Sequence, residues 1–127
     1  MKNKGSRTER ELFHKFWDSG LSAVRVAGSG STPLPAPDLL ASNSSRVFAI
    51  ECKALKSSKK YFKEGEIEQL IEFATKFGAE PWVAMKFNNK GWFFVHASQV
   101  EKTKNNINCI SLKLAQEKGI RFDDFIK

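Results

Sequence analysis

Leu12, Phe13, Phe16 and Trp17 recur at three- and four-residue spacing, which predicts a helix over 6–19 stopped by Gly20. Two capping boxes compete for its start, Ser6-x-x-Glu9 and Thr8-x-x-Glu11, and residues 1–5 read as a flexible basic arm ahead of it. Residues 21–27 alternate as a strand, with Val24 and Val26 on one face and Arg25 on the other. A breaker-rich loop, GSGSTPLPAP, follows. Strands over 38–41 and 46–54 then form a hairpin around SNSS. The clearest stripe is Ile67, Leu70, Ile71, Ala74 and Phe77, a helix over 64–77 closed by Gly78. Strands over 82–87 and 92–96 flank the turn NNKG, and the tail offers a short strand at 107–110 and a helix at 112–118. With no internal repeat and no interdomain linker, this order predicts one α/β domain, residues 1–127, built on a central mixed sheet.

Composition narrows the class. The 127 residues allow a single real core. No apolar run approaches the ~20 residues of a membrane helix, and the charged N-terminus lacks the apolar stretch of a signal peptide. Cys52 and Cys109 are far apart, and His14 and His96 show no ligand spacing with them. Both cysteines therefore read as reduced, buried residues of a cytoplasmic protein, which disfavours a disulfide scaffold or a zinc module. The net charge is +7, and all of the excess lies in residues 1–63, where twelve Lys and Arg face five Asp and Glu. Such a one-sided basic surface suits a polyanion.

Within that basic half, PDLLASNSSRVFAIECK holds the candidate chemistry. In a strand, Glu51 and Lys53 project from one face about 6.7 Å apart. A bare E-x-K is short and common and reads first as a surface ion pair. The Pro-Asp upstream, the strand beneath it and the basic half-domain shift the reading. If the hairpin brings Asp38 beside Glu51, two carboxylates and a backbone carbonyl converge into a hard-oxygen site suited to Mg²⁺. Phosphodiester hydrolysis needs such a cation on the non-bridging oxygen. Lys53 would orient water or offset developing charge. Lys56, Lys59, Lys60 and Lys63 leave the same strand, where they could neutralise a nucleic-acid backbone. Tyr61 and Phe62 read as packing residues rather than stacking platforms.

These residues carry a resemblance. PD…ECK is similar to the PD-(D/E)xK nuclease motif. The wider set, GSRTERELFHKFWDSG, VRVAGSGS, PDLLA, AIECKA and EQLIEFATKFGAEPWVAMKF, resembles the archaeal Holliday-junction resolvases over roughly residues 5–95. That resemblance implies a restriction-endonuclease-like core. It also implies a homodimeric, Mg²⁺-dependent endonuclease that cuts four-way DNA junctions in symmetric pairs. Asp38, Glu51 and Lys53 match the core catalytic positions, and Glu9 matches an acidic residue that completes the metal site. Ser29 matches a serine in a segment near the active site, while Arg10 and Arg25 match residues at the substrate phosphates. Phe73 and Phe77 match a dimer interface. Where the family commonly has Gln near the start of its second long helix, this chain has Glu66, with Gln69 one turn on, and that role stays unassigned. The rivals are a PD-(D/E)xK nuclease acting on linear or damaged duplex, and a non-catalytic DNA-binding module of the same fold.

Overall fold

The structure is a computed structural model that describes residues 4–27 and 33–127. Its elements run α1 (Lys4–Asp18), β1 (Ser22–Arg25), β2 (Leu39–Ser42), β3 (Val47–Leu55), β4 (Lys59–Tyr61), α2 (Glu66–Phe77), β5 (Glu80–Phe87) and β6 (Gly91–His96). A 3-10 turn, Ala97–Gln99, leads to β7 (Glu101–Lys102), β8 (Asn108–Ser111), α3 (Leu112–Lys118), β9 (Ile120–Arg121) and α4 (Phe122–Phe125).

Six strands form the main sheet in the order β1-β2-β3-β5-β6-β9. Only the central neighbours β3 and β5 are parallel, from Phe48 opposite Glu80 to Leu55 opposite Phe87. A parallel pair needs a crossover, and α2 supplies it. Being central, β3 and β5 are covered on both faces and read as near-continuous apolar runs. One face packs on α1 and α4 through Leu12, Phe16, Phe48, Ile50, Trp82, Phe94 and Phe125. The other packs on α2 and α3 through Ile67, Leu70, Ala74, Val83, Met85, Val95 and Leu114. Phe125 sits with its ring centroid 4.0 Å from Phe94 and 4.5 Å from Phe48, which fastens the C-terminal turn to the sheet.

Two hairpins obey their turn chemistry. Asn43 Oδ1 accepts from the backbone N–H of Ser45 at 3.0 Å and of Arg46 at 2.8 Å, which closes SNSS between β2 and β3. Asn89, at φ 62°, turns the chain between β5 and β6. At the end of α2, Gly78 takes φ 83° and donates its N–H to the Ala74 carbonyl, a left-handed cap that a side chain would strain.

Several boundaries differ from expectation. Helix α1 begins at Lys4, so neither capping box starts it and residues 4 and 5 of the expected arm are helical, while residues 1–3 lie outside the described residues. The Ser6 hydroxyl instead accepts from Arg25 Nη2 at 3.1 Å. In β1 the buried residue is Ala23, on the side of Arg25, whereas Val24 points away and is 55% exposed. Helix α2 starts at Glu66 and β5 at Glu80. The lysine-rich stretch is not all loop, because Lys59–Tyr61 pairs with β8 in a second sheet, β4-β8-β7. Phe62 enters the core as expected, but Tyr61 is exposed. Both cysteines are free and buried. No helix among the described residues is long and apolar enough to cross a membrane.

Candidate active site

The β2–β3 hairpin explains how two carboxylates distant in sequence meet. Its register sets Leu39 against Ile50, and continuing it by one step brings Asp38 alongside Glu51. Asp38 is locked there through backbone and side chain alike. Its N–H donates to the Ile50 carbonyl at 3.0 Å, its carbonyl accepts from Val26 N–H at 2.9 Å, and Oδ2 accepts from Cys52 N–H at 2.9 Å. The Ala49, Glu51, Lys53 face of β3 looks toward α2, with Ala49 buried beneath it.

Six charged side chains, five from four elements and Asp38 from the bend before β2, form one row. Arg25 Nη2 lies 3.6 Å from Glu9 Oε1. The carboxyls of Glu9 and Asp38, and of Asp38 and Glu51, are within hydrogen-bonding reach of one another. Lys53 Nζ stands 3.9 Å from Glu51 Oε2 and is in direct contact with Glu66 Oε2. The three neighbouring acids all hold their protons more tightly than usual. For Glu51, burial and then the Asp38 charge push the pKa up to about 9. Burial also raises Asp38, against the pull of the Cys52 amide and Lys53, and it raises Glu9, with Asp38 adding to the effect. Burial works to lower Lys53, but its contacts with Glu66, Glu51 and Asp38 outweigh this and leave it raised.

Such a cluster is short of positive charge. Carboxylates crowded into a partly dry site cannot all ionise unless a cation joins them. The donor set is all oxygen, which fits a hard divalent ion that keeps part of its water shell. Among the described residues, no group of three or more His, Cys, Asp or Glu could hold a metal ion alone. The Asp38–Glu51 pair matches the one or two protein carboxylates that Mg²⁺ takes alongside substrate phosphate.

The remaining expected residues are spread around this row. Arg10 is half-buried on α1 directly after Glu9. Lys56 lines a cleft of about 420 Å³ with Arg7, Glu11, Lys86 and Asn88. Lys59 and Lys60 ride on β4, and Lys63 borders a separate groove with Glu68, Lys102 and Asn108. Ser29 lies outside the described residues. Phe73 and Phe77 stack with ring centroids 5.1 Å apart on α2, and Phe77 is 55% exposed. Two interactions were not anticipated. Glu66 holds Lys53, and Glu11 on α1 binds Lys86 at 2.6 Å and the Trp92 indole at 3.2 Å. Glu66 could have been found from its place at the N-terminus of the crossover helix that follows the Lys53 strand; nothing local ties Glu11 to a residue 75 positions on.

A mixed sheet with two helices on each face, in which β3 carries Glu51 and Lys53 and the bend before β2 brings Asp38 alongside them, has the core of a nuclease. The archaeal Holliday junction resolvase (Hjc) family model matches residues 1–127, and the chain belongs to that family. It is 40% identical to the crossover junction endodeoxyribonuclease Hjc of Archaeoglobus fulgidus, over 98% of this chain and 96% of that protein. The Hjc enzyme of Methanocaldococcus jannaschii is 38% identical over 71% of this chain and 64% of its own length. The solved structure of the Archaeoglobus fulgidus Hjc, a Holliday junction resolvase, superposes with a TM-score of 0.89 at 36% identity, covering 97% of this chain and all of that one.

Proposed function

We propose that this chain is a crossover junction endodeoxyribonuclease that resolves four-way DNA junctions by metal-dependent phosphodiester hydrolysis. The observation that carries the reading is the Asp38–Glu51 pair, half-buried side by side and left short of positive charge beside Lys53. Asp38 and Glu51 would hold a divalent ion, Mg²⁺, with Glu9 completing the acidic set from α1. An ion held there would supply Lewis-acid polarisation of the phosphoryl oxygen and a lower pKa for attacking water. Lys53 orients that water and offsets charge as it builds on the phosphate. Arg10, Arg25 and the lysines at 56, 59, 60 and 63 engage the DNA backbone, and Ser29, outside the described residues, keeps the role that its match to the family implies. Recognition then rests on branch shape and charge rather than base identity. The enzyme works on DNA in the cytoplasm.

A four-way junction requires two symmetric cuts, which a two-fold dimer presents. The exposed apolar surface supports that assembly: Trp17 is 52% exposed, Val24 55% and Phe77 55%, and Phe77 borders a shallow apolar groove with Trp17, Val24, Leu40 and Val47. Phe73→Ala combined with Phe77→Ala is expected to sediment as a monomer with unchanged circular dichroism and to lose paired cutting. A fully active dimer would place the interface elsewhere. The activity itself is tested by offering an immobile synthetic junction and its component duplex arms with and without Mg²⁺. Cutting confined to the junction and dependent on the ion is expected; equal cutting of the arms would point to a duplex nuclease.

A further inference from the structure

Glu66 is held at both oxygens. Oε1 accepts from the Lys63 backbone N–H at 3.2 Å, and Oε2 contacts the Lys53 ammonium. Its side chain is mostly covered, and it opens α2, where a negative charge complements the helix dipole. Lys53, by contrast, stands 3.9 Å from Glu51, beyond hydrogen-bond range. A lysine stem is flexible, and a free ammonium two residues from a carboxylate on the same strand face would close to about 2.8 Å. Closed in this way, it would sit on the side of Glu51 that a cation needs.

We infer that Glu66 is a positioning residue, holding the Lys53 ammonium against the start of α2 and off Glu51, so that lysine and cation can act on one phosphate. The inference rests on the proposed role of Lys53. It requires the Glu66 oxygen to be at the right reach, more than it requires a charge. Two substitutions separate those demands. Glu66→Asp keeps the charge at the helix start but is one methylene short of Lys53; Glu66→Gln keeps the length and one acceptor oxygen for Lys53 without the charge, its amide NH₂ giving up the Lys63 N–H.

Glu66→Asp should lower turnover at saturating Mg²⁺ by roughly 10–100-fold, the cost usual for groups that orient a metal site, with KM for the junction little changed. It should weaken Mg²⁺ binding to the DNA-free protein, read by calorimetry, by about tenfold or more. Glu66→Gln should stay within about threefold of the parent in both readouts. Metal-free junction affinity and circular dichroism should be unchanged in both variants. Parent-like turnover and Mg²⁺ affinity in Glu66→Asp would overturn the inference, and so would equal damage in both variants, since charge or folding would then matter and reach would not. A Lys53→Ala variant that cuts normally would remove Lys53 from the chemistry instead, and the Mg²⁺ calorimetry would still decide whether Glu66 keeps the ammonium off Glu51.

Discussion

The β3–β5 pair carries an acid and a base where it begins and again at the middle of β3, and the two places treat them oppositely. Where it begins, Arg46, just before β3, meets Glu80, the first residue of β5. Arg46 Nε and Nη2 donate to the two Glu80 oxygens at 2.8 and 2.7 Å, and the Trp82 indole adds a bond at 3.1 Å. The Arg46 bond holds the Glu80 carboxyl below its ordinary range. At the middle of β3 Glu51 also has a cation nearby, yet it is pushed up to about 9, because burial and Asp38 outweigh a lysine that another acid detains. One carboxylate is saturated by its own chain and the other is left wanting. The lesson is that the presence of an ion pair says little; the degree of compensation separates a surface tie from a site.

The contrast breaks most sharply if the undercompensated cluster is neutralised. Asp38→Asn or Glu51→Gln should reduce junction cutting by far more than the roughly 100-fold that changes behind a metal site cost. Junction binding should survive in both variants, and tighten where the replaced carboxyl is ionised and repels phosphate. Loss of binding together with cutting would make both residues structural. Lys53→Ala should lower turnover by on the order of 10²–10³-fold, the range for one lost donor at a developing charge. Mg²⁺ binding should remain measurable by calorimetry.

A smaller effect sharpens the electrostatic side. Glu51 has a folded-state pKa of about 9 against an ordinary 4.5, so its contribution to stability is full below 4.5 and is lost as pH rises through 9. Metal-free protein should therefore melt at progressively lower temperature between those pH values. Glu51→Gln should flatten the profile and raise the metal-free melting point near pH 9. Mg²⁺ at pH 7–8 must displace the Glu51 proton, so its binding heat should vary with the ionisation enthalpy of the buffer. A buffer-independent heat would mean that Glu51 is already ionised.

How much of this was legible in the sequence follows from how local each feature is. The α2 stripe and the β3 run announce themselves through their own periodicity, and Pro37-Asp38 with Glu51-x-Lys53 marks the site within seventeen residues. Strands β4, β7 and β9 do not, because two or three residues have no period and exist only by pairing, β4 and β9 with strands far along the chain and β7 with β8 just after it. Val24 misleads for a related reason: apolar on an edge strand, it faces outward while the smaller Ala23 is buried. The acidic row itself could be anticipated only in part. Asp38 and Glu51 share a hairpin, but Glu9, Arg25 and Glu66 arrive from separate elements, and Arg46–Glu80 depends on the parallel register.

The saturated end gives the smallest effect and the control for all the others. Arg46 and Glu80 are both substantially exposed, so water already screens them and their mutual attraction is modest despite the two-point geometry. Arg46→Ala and Glu80→Gln should each cost about 1 kcal/mol or less, with a double-mutant cycle returning a coupling of roughly 0.2–1 kcal/mol. That coupling should shrink as salt is raised, because exposed pairs are screened over about 10 Å at 0.1 M ionic strength. Neither variant should change the cutting rate at saturating Mg²⁺ or the pH at which metal-free stability declines, since both quantities belong to the Glu51 cluster at the middle of β3. If Arg46→Ala slowed cutting as strongly as Lys53→Ala, the two places would not be independent. The difference in charge compensation between Glu80 and Glu51 would then be a poor guide to where the chemistry lies.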